Sequence, residues 1–517
     1  STSIPIPIAA AIGSKIKYMK LSKYIGLLLA SVAFTSCGED YLTDMPSSNV
    51  TSEQIANEAA KDPAKALGSQ LSGAYSNWNF HVTRANSDLM MQMSVGWTGM
   101  IMLSNVMGND MSLSMGSQDP WHFDHGLDYN SEQYYRSGQP WNYFYTIIKS
   151  CNEIIPSVDS LNADAEGKAI LGQVLAMRGI SYAYLAQWYQ LTYKGHEDLP
   201  CVPLLLSSEE QSINTRATVQ QVYDRAETDL LGAIRMLKGY KRKDKTVIDE
   251  HVAEGLLSRV YLVMNRWDDA AAMAHAAREG YSLMNADEAA EYNYQDIDNK
   301  EVMWGCDITD NTKLIYASFG SWYSTDGYGY GGQVGVYHLI DAALYNSISA
   351  TDARKSLYIA PGSSEEFGEG GQAWTAPEYA NLKFRFVKDW LGDVVYMRVA
   401  EMYLTEAEAL ARGGHGTEAN TLMREFMSNR DEASTKTSFT ANDIYQQRRI
   451  ELWGEGFTYY DHLRLGIDLK RTYEGTNEPE TSQANIKAGS YKWIYQLPLD
   501  EIQNNEFISE SDQNPAQ

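Results

Sequence analysis

The chain has 517 residues, 44% of them hydrophobic, enough to bury a large core with more than one structural lobe. Its formal charge of -25 repels phosphate backbones, which argues against nucleic acid as a partner and favours neutral or cationic ligands. Beyond Cys37 there are three cysteines, Cys151, Cys201 and Cys306, far apart and not in metal-type pairs. They imply no disulfide framework and allow one bridge at most; buried free thiols are the expectation.

The first element is a leader. Lys20 and Lys23 follow Met19, with Lys15 and Lys17 just upstream, and Ile25 to Phe34 is an uncharged apolar run. Thr35-Ser36 then lead into Cys37. A basic start, a short apolar stretch and small residues before a cysteine form the layout of an exported-protein signal. The run is too short to span a bilayer as a helix. Its end resembles the bacterial lipobox, with Phe34 in place of the usual aliphatic residue, and this implies lipidation at Cys37. Residues 1–36 are therefore expected to be an upstream extension and signal peptide, 37–50 a lipidated acidic tether, and 51–517 one domain.

Helical periodicity dominates the rest. Amphipathic runs are expected at Gln139–Ser157, Ala165–Gln190, Thr218–Leu237, Asp249–Asn265 and Trp267–Glu279. A second cluster covers Val394–Arg412, Gly416–Arg430 and Ala441–Gly454. Leu257, Ser258 and Tyr261 on one helix, with Ala270, Ala274 and Ala277 on the next, have tetratricopeptide-like spacing. Tyr403, Ala407 and Leu410, then Ala419 and Met423, repeat it after Gly413-Gly414. The fold class expected is mostly α: a tetratricopeptide-like helical hairpin scaffold at about 139–280 and 394–465, with long irregular loop insertions and a few short strands, one at Glu301–Trp304.

The insertions, about 75–138 and 305–392, are rich in Gly, Ser, Asn, Asp and aromatic residues. Long irregular stretches in a compact protein are commonly functional, and aromatic content argues against disorder. The chain holds 35 Tyr and 12 Trp against 12 Phe, rings with a flat apolar face and a polar handle. The glycine-rich Gly320–Gly332 segment lacks a phosphate-loop lysine and its strand–loop–helix context, so it reads as a flexible loop presenting rings, not a nucleotide site.

Several motifs, in a fixed order along the chain, carry one resemblance. The resemblance is carried by Cys37-Gly-Glu-Asp-Tyr-Leu-Thr-Asp-Met-Pro46, by Trp141-Asn-x-x-Tyr145 with Asn152, and by Arg178-Gly-x-Ser-Tyr-x-Tyr-Leu185 leading to Leu199-Pro-Cys-Val-Pro203. Further along come Asp352-Ala-Arg354, Arg398-Val-Ala-Glu401-Met-Tyr-Leu404 with Glu406 and Glu408, and Gln447-Arg-Arg-Ile-Glu451-Leu-Trp-Gly-Glu455-Gly-Phe457 continuing to Asp461 and Arg464. Gln496-Leu-Pro498, Asn504-Asn505 and Gln513-Asn-Pro515 complete the order, and together these segments resemble the SusD/RagB family of outer-surface nutrient-binding lipoproteins of Bacteroidetes. Read for themselves, Arg449, Glu451, Glu455, Asp461 and Arg464 sit among apolar residues and must be paired, so they are a structural network and not a catalytic pair.

The resemblance implies a non-enzymatic lid, anchored in the outer membrane through its N-terminal lipid and facing outward. It would capture an oligosaccharide, or alternatively an oligopeptide, and hand it to a SusC-like TonB-dependent transporter. Sugar rings stack on Trp or Tyr and hydrogen-bond to planar polar groups. The ligand-binding candidates are Trp78, Trp97 and Trp121 with Asn77, Asn79 and Asp119 in the first insertion, and Trp322, Tyr323, Tyr328 and Tyr330 in the second. Replacing Trp322 and Tyr323 by Ala is expected to weaken binding without unfolding the protein. Met90, Met91, Met93, Met100, Met102, Met107, Met111 and Met115 give the oligopeptide alternative its support, because methionine suits varied side chains.

A surface hydrolase is the main rival. His122, Asp124, His125 and Asp128 form a suggestive cluster, but its spacing is not HExxH and no third ligand is evident. No Gly-x-Ser-x-Gly elbow occurs. No cofactor is expected; calcium near Asp296, Asp298 and Asp307 has only weak support, because a full loop motif is missing.

Overall fold

The computed structural model describes residues 63–83, 87–159, 163–208, 214–291, 294–369 and 372–516. The leader, Cys37 and the tether lie outside the described residues. Helices α1 (Pro63–Phe80), α2 (Asp88–Gln92) and α3 (Gly96–Val106) precede β1 (Met111–Leu113) and the short α4 (His122–His125). The first scaffold cluster then follows: α5 (Tyr135–Ile154), α6 (Ala165–Tyr189), β2 (Pro200–Pro203), β3 (Arg216–Thr218), α7 (Val219–Leu237), α8 (Glu250–Val263) and α9 (Trp267–Arg278).

Caps set these boundaries. Asp164, Thr218 and Asp249 each accept a backbone N–H in the first turn of the helix they open, and Thr218 with Gln221 completes a reciprocal capping box. Each helix packs on its neighbour in a continuous stack, and α6 lies along α7 most extensively. Gly179 permits that approach: a Cβ there would stand 2.9 Å from the Ala226 carbonyl oxygen.

The second insertion contributes β4 (Val302–Cys306), α10 (Phe319–Tyr323), α11 (Tyr330–Val334), β5 (His338–Ile340) and the hairpin β6 (Glu365–Glu369) with β7 (Gln372–Ala376). It ends in β8 (Val394–Arg398), which runs antiparallel to β4. The second scaffold cluster is α12 (Val399–Arg412), α13 (Gly416–Ser428), α14 (Ala441–Glu451) and α15 (Thr458–Leu465), and the chain closes through α16 (Leu499–Asn504). Helix α12 packs on α9, which joins the two clusters across 120 residues of insertion and strand.

Two expectations change. The run from Val394 is not helical throughout: its first five residues form β8, where Val394 and Tyr396 are buried. The first insertion is also less irregular than its composition implies, because α3 is a helix with all eleven residues buried. A helix that is apolar all round carries no amphipathic period, so periodicity cannot find it. Met93, Met100, Met102, Met107 and Met111 are within this core, and Met91 alone among the described methionines is strongly exposed.

The core is one cluster reaching from Ala74 to Ile508. A smaller one, Tyr337, Leu339, Ile359, Ala376, Ala380 and Leu382, supports the β6–β7 hairpin. Cys151, Cys201 and Cys306 are free, buried thiols. Burial pushes each thiol up to about 12, which leaves them unreactive.

Candidate functional site

The second insertion gathers its rings into one ridge. Trp374 meets Tyr328 at 5.6 Å between centroids, Tyr328 meets Phe386 at 5.7 Å, and Phe386 meets Trp390 at 5.5 Å. Trp390 and Tyr316 follow at 5.8 Å, then Tyr316 and Tyr330 at 5.8 Å. Tyr330 stacks at 4.2 Å on Trp322 behind it. Tyr316 is 46% exposed, an unusual position for a large ring, and the other five of the ridge are partly exposed.

The backbone holds these rings outward at a cost. Ile315, Asp389 and Trp390 have φ of 49°, 61° and 65°, a region that L side chains rarely adopt. Such strain clusters at ligand sites, where surrounding structure over-determines it. Here it flanks Tyr316 on one side of the ridge and sets Trp390 on the other. The glycines between Gly320 and Gly332 are not there for flexibility: a Cβ on Gly329 would meet Ser321 backbone at 2.3 Å, and one on Gly332 would meet the Gly327 carbonyl at 1.9 Å. They allow the chain to fold tightly on itself. The Trp374 indole then covers Gly332 and donates to the Thr325 carbonyl at 3.0 Å.

Polar groups adjoin the rings. Tyr330 Oη donates to Gln92 Oε1 at 2.7 Å, which ties α2 of the first insertion to the ridge. Asp326 Oδ1 accepts from Ser324 Oγ at 2.8 Å and from the Phe386 N–H at 2.7 Å. The first insertion adds a second aromatic patch, with Phe123 48% and Tyr134 45% exposed around Tyr129. A buried path joins patch and ridge: Trp322 meets Trp121 edge-on at 5.7 Å, and the Arg136 guanidinium lies 5.2 Å from Trp121 and 4.8 Å from Tyr135. Arg136 is itself fixed by Asp124 at 2.8 Å.

The structure divides the sequence candidates. Tyr328 and Tyr330 are on the ridge. Trp322 and Tyr323 are fully buried behind it, so replacing them removes core and not a free platform; the expectation that such a variant stays folded is corrected on that ground. Trp121 is also fully buried. Trp78 and Trp97 stack on each other at 5.2 Å, with Trp304 5.3 Å from Trp78, in a separate part of the core. Asn77 donates to Ser150 Oγ at 3.0 Å and Asn79 accepts from Tyr396 Oη at 2.8 Å, so neither joins the ridge. Tyr316, Trp374, Phe386 and Trp390 were not singled out by sequence.

Asp119 is buried, with Oδ1 accepting the Trp121 N–H at 2.8 Å and Oδ2 standing 4.0 Å from His338 Nε2. Oδ2, the Trp121 and Trp322 indole nitrogens and Ser321 Oγ have no hydrogen-bond partner among the described residues. Burial pushes Asp119 up to about 7 and His338 down to about 3. Both are therefore neutral in mildly acidic solution.

Most of the hydrolase and metal candidates have other partners, while His122 Nδ1 has no hydrogen-bond partner among the described residues. Asp124 binds Arg136, His125 lies between the Val106 carbonyl and Glu478, and Asp128 meets Lys492 at 3.0 Å. Asp296 accepts the Asp298 N–H at 2.8 Å. Among the described residues no group of three His, Cys, Asp or Glu side chains is placed to hold a metal ion. No described helix is long and apolar enough to cross a membrane.

Two family profiles match the sequence. One, SusD-like_3, described as "Starch-binding associating with outer membrane", covers residues 88–262, and the other, the SusD family (SusD_RagB), covers residues 391–516. No curated protein matches the chain. The fold is shared with solved structures. A SusD-like carbohydrate binding protein from Bacteroides vulgatus is 24% identical, with 88% of this chain and 98% of that one aligned at a TM-score of 0.72. A SusD superfamily protein from Bacteroides thetaiotaomicron is 22% identical, with 88% and 100% aligned at 0.71. Surface glycan-binding protein A from Bacteroides thetaiotaomicron, in complex with laminarihexaose, is 16% identical, with 86% and 98% aligned at 0.62.

Proposed function

This chain belongs to the SusD/RagB family, and from that premise we propose that it is a surface lipoprotein that captures oligosaccharides on the aromatic ridge and delivers them to a partner TonB-dependent outer-membrane transporter. The observation that carries the reading is the run of partly exposed rings from Trp374 to Tyr330, ordered by strained backbone and bordered by Gln92 and Asp326. Sugar C–H faces stack on such rings while amide and carboxylate groups take the hydroxyls. The role is binding without catalysis. Lipidation at Cys37 would tether the body to the outer membrane, and one acyl-bearing residue leaves it free to swing while the transporter supplies the remaining hold.

An oligopeptide cargo loses its main support, because most of the methionines that suggested it fill the core. Calorimetry with a panel of soluble polysaccharides and oligosaccharides, laminarihexaose among them, tests the reading. Saturable binding to at least one glycan, with the glycan recovered intact, is expected. Binding to peptides alone, or release of shorter glycans, would overturn it.

A further inference from the structure

A second hollow is present on the scaffold, where no residue of the ridge reaches. It is a cleft of about 450 Å³ between one face of α5 and the segment leaving β2. Trp141, Tyr145 and Lys149 line it from α5, Pro203, Leu205 and Ser207 from the opposite wall, and Glu501 from α16. The walls are tied together before any ligand arrives. Tyr145 Oη donates to the Pro203 carbonyl at 2.7 Å, and Asn152 Nδ2 donates to the Leu205 carbonyl at 2.8 Å. Asn152 is in turn held by Arg178 at 2.8 Å. A cleft of this volume accommodates one or two sugar rings or a dipeptide, and pre-formed walls reduce the cost of binding.

The chemistry of the cleft is set by Glu501. One of its oxygens accepts from Asn505 Nδ2 at 2.7 Å. Burial raises its proton affinity and that hydrogen bond lowers it. Among the described residues Lys149 is the one cation lining the cleft; it is exposed, and no ion pair between it and Glu501 is found. A partly buried carboxylate beside the aromatic wall of α5, in a strongly acidic protein, suits an ammonium, which matches both the charge and the ring faces.

We propose that this cleft is a second ligand site, separate from the ridge, that takes a small ligand bearing a protonated primary amine. The ammonium docks on the Glu501 carboxylate and the apolar body lies against Trp141 and Tyr145. An amino sugar and a peptide N-terminus share this chemistry.

Ligand-observed NMR and calorimetry on the full chain distinguish the two sources, with D-glucosamine and L-alaninamide as probes and D-glucose, N-acetylglucosamine and N-acetyl-L-alaninamide as uncharged controls. At least one amine probe is expected to bind at least five-fold more tightly than its control. Glu501→Gln keeps the acceptor for Asn505 but removes the charge, and should abolish that preference. Tyr316→Ala on the ridge should leave it intact, whereas Lys149→Ala should preserve or strengthen it. Binding should tighten as pH rises through the Glu501 titration. Equal binding of probes and controls, no binding of either amine, or a preference that survives Glu501→Gln would overturn the proposal. A preference for alaninamide alone would identify the peptide end as the source, and one for glucosamine alone the amino sugar.

Discussion

The helical scaffold and the aromatic ridge use the same residue types in opposite ways. Where the scaffold helices meet the segments packed on them, charge is hidden. Glu451 meets Arg354 at 3.2 Å, Arg398 at 3.0 Å and Arg430 at 2.9 Å, and Glu301 meets Arg398 and Arg430 at 2.5 and 2.7 Å, with every one of these side chains at most 2% exposed. Glu455 joins through Arg398 and Lys383, while Asp461 bridges Arg448 and Arg464. Rings there are enclosed too, as where Trp188 stacks on Tyr459 at 4.3 Å. On the ridge the rings face outward, over backbone that costs free energy to hold. The difference separates residues whose loss should unfold the protein from residues whose loss should only blind it.

The strongest way to break that comparison is Glu451→Ala, which leaves three buried guanidinium groups short of a carboxylate. Removing one partner of a buried ion network costs about 3–5 kcal/mol, so the melting temperature should fall steeply whatever ligand is present. A near-neutral result would mean that the network is not what fixes the scaffold. Trp322→Ala sharpens the boundary between the regions. Deleting a fully buried indole costs about 3–5 kcal/mol, and any loss of glycan binding should come together with loss of thermal stability.

Asp119→Asn probes the layer beneath the ridge. With Asp119 raised to about 7, its stabilising contribution is full below the ordinary carboxylate value and is lost as pH rises through 7. His338 acts oppositely: held near 3, its contribution is full above 6.5 and is lost as pH falls. An asparagine is fixed in the neutral form and can still accept the Trp121 N–H. The variant should therefore be more stable than the parent at pH 8, by on the order of a few kcal/mol, and nearly equal to it at pH 4. The same difference at both pH values would show that Asp119 does not titrate as its burial requires. The smallest effect is expected from Tyr316→Ala: a stability change within about 0.5 kcal/mol, and glycan affinity reduced by about 1 kcal/mol, measured by melting and calorimetry.

Much of the scaffold was legible because its helices are amphipathic and capped. Ala165–Tyr189 begins where Asp164 supplies the cap and ends within a residue of the expected boundary. The buried helix Gly96–Val106 was not legible, because being apolar on every face erases the period. The polar network could be read from charges crowded among Leu452, Trp453 and Phe457, although its arginines from 354, 398 and 430 could not be assigned to Glu451 by spacing. Of the rings named from sequence in the second insertion, Tyr328 and Tyr330 lie on the ridge, while Tyr316, Trp374, Phe386 and Trp390 were not among them. Tyr323 and Tyr328 are five residues apart in one glycine-rich loop, yet one is buried and the other lies on the ridge. Tyr323 closes the short helix Phe319–Tyr323, and the close backbone approaches at Gly329 and Gly332 that fold the following loop are not announced by any local residue pattern.

The central claim is that the ridge binds glycan while the buried rings hold the fold. It is tested most directly by the Tyr316→Ala, Trp390→Ala double variant, titrated against a soluble glycan that the parent protein binds and melted in parallel. The account predicts at least a ten-fold loss of affinity, about 1.4 kcal/mol or more, with the melting temperature nearly unchanged. Parent-like affinity in a folded double variant would contradict it.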